Sequence, residues 1–89
     1  MQFEWDKIKA NNNVIKHKVT FDEAITVFYD PLSVTFIDSD HSLDEVRFII
    51  IGYSSRNRLL VVSHTDRGKT IRIISSRTAT ADERKRHEI

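Results

Sequence analysis

Residues 46–76 read VRFIIIGY, SSRNR, LLVVSHT, DRGK, TIRIISS in succession, and this stretch decides the fold. Three runs rich in β-branched residues, 46–53, 59–65 and 70–76, are separated by short polar connections. Such side chains suit the pleated surface of a strand, and connections of this length suit hairpins, so the runs predict an antiparallel meander. Asn57 and Gly68, which tolerate positive φ, stand in the two connections. Along the last run Ile71 and Ile73 share one face and Arg72 takes the other; Leu60, Val62 and His64 alternate likewise. The run 46–53 is apolar on both faces, so part of the second face needs a cover, either the terminal helix or a bound partner.

Upstream, 34–37 predicts a fourth strand, and before it the apolar period lengthens. Phe21, Ala24, Ile25 and Phe28 fall at i, i+3, i+4 and i+7 of a helix. Thr20 and Glu23 have capping-box spacing, Val19 can staple onto Ala24, and Asp30-Pro31 ends the helix. Asp6 caps an earlier helix reaching about Lys16, which Asn11 to Asn13 weaken, so it needs tertiary support. Phe3-Glu4-Trp5 predicts a short first strand. A second capping box, Thr80 to Glu83, opens a last helix whose end carries Lys85, Arg86 and His87, an order that complements the helix dipole. The reading is an α+β domain over 1–89: two N-terminal helices packed on an antiparallel β-sheet, with a short C-terminal helix at its edge.

The chain has 39% hydrophobic and 30% charged residues, which excludes a disordered class. Without cysteine it has neither disulfides nor thiolate metal sites, and no cofactor is expected. Met1 to Asp6 lacks a basic stretch followed by an apolar run, and the apolar run Phe48 to Ile51 is too short for a bilayer. A cytoplasmic protein with no membrane partner is expected. Charge is uneven: residues 1–43 carry four lysines against seven acids, whereas 44–89 carry eight arginines and two lysines against six acids. Arginine's planar fork grips phosphate oxygens in pairs, so the second half points to a phosphate-bearing partner, with a solvated basic surface as the plainer alternative.

Together the landmarks resemble the BrnT toxins of bacterial toxin–antitoxin pairs. The matching residues are Phe3 to Asp6, Asn13, Lys16-His17, Val19 to Phe21, Glu23-Ala24, Asp30 to Leu32, Asp40 to Ser42, Glu45, Arg47, Gly52, Ser54 and Arg58 to Val62. They continue with Ile71 to Ser75, Arg77, Ala79-Thr80, Glu83-Arg84 and Glu88. The resemblance implies a compact RelE-like ribonuclease that cuts cellular RNA and inhibits growth. It also implies a BrnA-type antitoxin that neutralises the toxin and with it represses their operon, operator DNA being met only through the antitoxin. Lys18 and Asn57 stand where the family commonly has glycine, and His64 and His87 where tyrosine is more usual.

Metal-independent RNA cleavage needs a base for the 2′-hydroxyl, positive charge on the phosphate and a proton for the leaving oxygen. The candidate catalytic residues are His64, Arg72, Arg77, Arg47 and His87, with Arg56, Arg58, Arg84 and Lys16 as RNA-binding residues. His64 is preferred for proton transfer because its strand neighbours that of Arg72; the plainer reading is a polar residue completing an exposed strand face. For Arg72 the plainer reading is an ion pair with Glu45 or Glu83, and for Glu83 a helix cap that also orients an arginine. His17 reads as structural, and Asp38, Asp40 and His41 as a solvated turn rather than a metal site. The alternative function is a non-catalytic RNA- or antitoxin-binding module acting as co-repressor.

Overall fold

The structure, a computed structural model, describes residues 1–88. Its strands are β1 (Gln2–Glu4), β2 (Val34–Ile37), β3 (Arg47–Tyr53), β4 (Leu59–Arg67) and β5 (Thr70–Thr78); its helices are α1 (Lys7–His17), α2 (Phe21–Thr26) and α3 (Ala81–His87). Short 3-10 turns follow α2 at Val27–Tyr29 and β2 at Ser39–His41. The α+β class holds, but the sheet is mixed. In the order β1-β5-β4-β3-β2, β1 runs parallel to β5 and the remaining pairs are antiparallel. No helix among the described residues is long and apolar enough to cross a membrane.

One face of the sheet is closed by the first two helices. Val19, Phe21, Ala24 and Val27 meet Ile50, Leu60, Val62 and Ile73 there, and Trp5 packs its ring edge against Phe21 at 5.8 Å. Asp6 caps α1 by accepting from the N–H groups of Ile8 and Lys9. The tertiary support that α1 needs comes from Asn13. Buried, it donates to the carbonyls of Val19 and Ser76 at 2.9 and 2.8 Å and accepts from Ser76 N at 3.0 Å. The asparagine that weakens the helix therefore ties it to β5.

Helix α1 ends on Lys18, held left-handed at φ 60°, a conformation costly for a side chain with a Cβ. At α2 Thr20 caps the N–H of Glu23 at 3.0 Å, but the expected reciprocal bond is not made. The Glu23 carboxylate instead receives Arg58 Nε at 2.9 Å and the Ser54 hydroxyl at 2.7 Å, joining α2 to the β3–β4 connection. A half-buried guanidinium beside α2 outcompetes the backbone N–H of exposed Thr20 for that carboxylate. Gly52 is dictated by close approach, since a Cβ there would sit 2.9 Å from the Ser33 Cβ.

The other face is largely open. Strand register arranges it in three rows: Val34, Ile51, Val61 and Arg77; then Phe36, Ile49, Ser63 and Ser75; then Arg47, Thr65, Arg72 and Glu4. A β-bulge shapes this layout. Ser63 pairs with Ser75 while the next residue, His64, pairs with Ile73, leaving Ile74 as an extra residue in β5. Strict alternation would send Arg72 and Arg77, five positions apart, to opposite faces. The bulge brings them to the same one. α3 crosses over this face rather than lying at the sheet edge.

Candidate functional site

A groove of about 360 Å³ lies on the open face. Its floor is Val34, Phe36, Ile49, Ile51 and Val61, and its polar wall is Arg77 with Glu83, Arg86 and His87 of α3. Arg77 and Glu83 are locked fork to fork, Nη1 to Oε1 at 2.7 Å and Nη2 to Oε2 at 2.9 Å. Glu83 Oε1 also accepts from Thr80 N at 2.8 Å while Thr80 caps Glu83 N, so the expected second capping box is complete. The Arg77 guanidinium, aided by the Thr80 N–H, holds the Glu83 carboxyl at about 2, and the pairing raises Arg77 in turn. Both groups stay ionised at any working pH. Glu83 is thus a fixed anion that orients an arginine rather than a base that exchanges protons.

The row beyond Phe36 carries Arg47 and Arg72. Arg72 donates to Glu4 Oε2 at 2.7 Å. Its expected carboxylate partners lie elsewhere: Glu45 pairs with Arg67 at 3.1 Å and Glu83 with Arg77. The parallel β1–β5 pairing sets Glu4 opposite Arg72, a contact no local pattern reveals. Among the described residues neither Arg47 nor Arg86 forms an ion pair.

The histidines divide between the faces. His87 is half-buried against the groove, its ring 6.0 Å from that of Tyr53, whose hydroxyl donates to Glu88 at 2.6 Å. His64 lies on the helix side, 4% exposed, its ring 4.8 Å from Phe28 and 5.8 Å from Phe48. Burial pushes its pKa down, a contact with the Val62 carbonyl opposing the shift only in part. The expectation that His64 and Arg72 reach one phosphate fails, because Leu60, Val62 and His64 share the face that the helices bury. Their alternation was readable; which face is covered was not.

The remaining candidates are dispersed. Arg58 is drawn to α2 by Glu23 and donates to the Lys18 carbonyl at 3.1 Å, and exposed Arg56 stands 4.0 Å from Glu23. Lys16 is exposed on α1, in the layer that covers the opposite face, and Arg84 on α3 lies 3.9 Å from Glu88. His41 pairs with Asp38 at 3.0 Å in the turn after β2. Phe36 and Arg86 were not singled out from sequence. Arg86 had a signal in the basic end of the last helix, whereas Phe36 is visible only once β2 is known to be an edge strand with an uncovered face.

Fold and site define a small α+β protein that displays arginines across a largely open sheet face. The family of the ribonuclease toxin BrnT of type II toxin–antitoxin systems matches residues 5–83, and the chain belongs to that family. The crystal structure of the Brucella abortus ribonuclease toxin BrnT shares the fold, with a TM-score of 0.69 at 22% identity over 90% of this chain and 97% of that one. No curated protein matches in sequence.

Proposed function

We propose that the chain is a metal-independent endoribonuclease toxin that cuts cellular RNA on the open sheet face. A relation to the RelE toxins, a BrnA-type antitoxin that neutralises it in the cytoplasm, and joint repression of their operon complete the reading. One observation carries it: Arg77, fixed by Glu83, stands with Arg86 and His87 on one wall of a groove. Guanidinium forks grip phosphate as they grip carboxylate. Arg77 and Arg86, with Arg47 and Arg72 across the face, offset charge on the scissile phosphate. The 2′-hydroxyl oxygen attacks phosphorus, the bond to the 5′-oxygen breaks, and one proton leaves the hydroxyl while another reaches the departing oxygen. Histidine is the side-chain type suited to both transfers near neutrality, and the role passes from His64 to His87 because His87 is the histidine that borders the groove among the described residues.

The non-catalytic alternative draws support from Arg72 and Arg77 already holding carboxylates. Gel analysis of RNA incubated with purified chain separates the two. Cleavage is expected to survive excess chelator, to weaken with salt, and to be abolished by Arg77→Ala with a cooperative thermal transition retained. RNA that is retarded but never cut identifies a binding module. Cleavage lost to chelator and restored by a divalent ion overturns metal independence.

A further inference from the structure

We propose that Phe36 forms a nucleobase subsite, stacking one unpaired base of single-stranded RNA and thereby setting the base preference beside the cut. The proposal rests on the ribonuclease reading for the identity of the ligand. Its placement comes from the sheet.

Phe36 is 50% exposed on an edge strand, and its row lies between two rows that bear arginines. Adjacent rows are two residues apart along the strands, roughly 7 Å. One flanking row ends in Arg77 and the other carries Arg47 and Arg72. An extended RNA backbone following the groove would meet Arg77 and Arg86 on its wall to one side of Phe36 and Arg47, on the neighbouring strand in the next row, to the other, with the base between them directed at the ring. A nucleobase presents flat apolar faces and a polar edge. Here an aromatic and aliphatic floor adjoins Ser63 in the same row and His87 on the groove wall, groups able to hydrogen-bond that edge. Base stacking on exposed sheet aromatics is a general means of holding single strands. An apolar protein segment would fill the same floor but would leave Arg47 and Arg86, which form no ion pair among the described residues, without an anionic counterpart.

The test uses the purified chain and a single-stranded RNA pool randomised around one cut site, together with RNA carrying 2-aminopurine, whose fluorescence is quenched by stacking. Phe36→Ala is expected to cut roughly tenfold more slowly, to lose base preference at one position beside the cut, and to lose the quenching. Phe36→Trp should retain all three. Parent-like preference in Phe36→Ala overturns the proposal, as does a uniform slowing across all cut sequences. Lost antitoxin capture with unchanged cleavage also overturns it, marking the groove as a protein-docking surface. Should Phe36→Ala not fold, Phe36→Leu decides, since it keeps apolar volume without the ring; parent-like preference there is equally fatal. If the parent cuts no RNA, the ribonuclease reading fails by itself. The subsite then stands if quenching by the parent disappears in the variant, and falls if quenching is absent or unchanged.

Discussion

The two faces of this sheet come from the same strands, yet they hold their histidines in opposite ways. On the helix side His64 is clamped by Phe28 and Phe48, and burial disfavours its charged form. On the open side His87 borders a groove beside a fixed Arg77–Glu83 pair. What a histidine does here depends less on its type than on which face it meets and what covers that face. The largest expected effect tests that contrast. His87→Ala should reduce cleavage by roughly 10²–10⁴-fold, the range for a lost acid–base group, with thermal stability near that of the parent. His64→Ala should do the reverse, losing about 0.5–3 kcal/mol of stability while the folded fraction cuts at the parental rate. Cleavage assays on protein quantified for folded fraction would break the comparison if the two variants exchanged phenotypes.

The faces should also separate in pH. The folded state keeps His64 below its ordinary value of 6.5, so the unfolded chain takes up the proton first as pH falls. The contribution is complete above about 6.5 and is lost as pH falls from there towards the folded pKa. Glu83, lowered from 4.5 to about 2, contributes fully above 4.5 and loses its contribution only as pH falls towards 2. Glu23, Asp6 and Asp30, also lowered, share that acidic window. Urea midpoints measured from pH 8 to 2 should therefore fall in two stages. His64→Leu should remove the upper stage, and Glu83→Gln should shrink the lower one. An upper stage that persists in His64→Leu would show that another group produces it.

Much of this contrast was legible in the chain, and the rest was not for identifiable reasons. The meander, the caps at Asp6, Thr20 and Thr80, and the shared face of Leu60, Val62 and His64 follow from local periodicity and chemistry. The Glu4–Arg72 pair depends on a parallel strand pairing across nearly the whole sequence, which no local pattern encodes. The common face of Arg72 and Arg77 depends on one inserted residue, Ile74, in a run that otherwise reads as regular β-strand. The fate of Glu23 was hidden for a third reason. Its spacing from Thr20 fits a capping box, but Arg58, distant in sequence, claims the carboxylate. Local rules located the elements; long-range pairing distributed the charged groups among them.

The smallest effect compares the two threonine caps. Each accepts a hydrogen bond from the backbone N–H three residues on, at 3.0 Å in α2 and 3.2 Å in α3. An isolated cap of this kind contributes about 0.5–2 kcal/mol to its helix. What differs is how each helix is coupled to the core. α2 buries Phe21, Glu23 and Ala24, so its first turn cannot loosen without disturbing the core, and Thr20→Ala should lower the global unfolding midpoint by that amount. α3 buries no residue completely and is held over the open face by Arg77–Glu83 and Tyr53–Glu88. Thr80→Ala should therefore act locally, leaving the global midpoint within about 0.5 kcal/mol of the parent. Amide exchange at Arg84, whose N–H bonds to the Thr80 carbonyl at 2.9 Å, should accelerate instead. The same fraying would release Glu83 from its cap and loosen Arg77, so cleavage should fall modestly while the core remains intact. Equal losses of global stability at the two caps would mean that α3 belongs to the cooperative core and does not loosen independently of it.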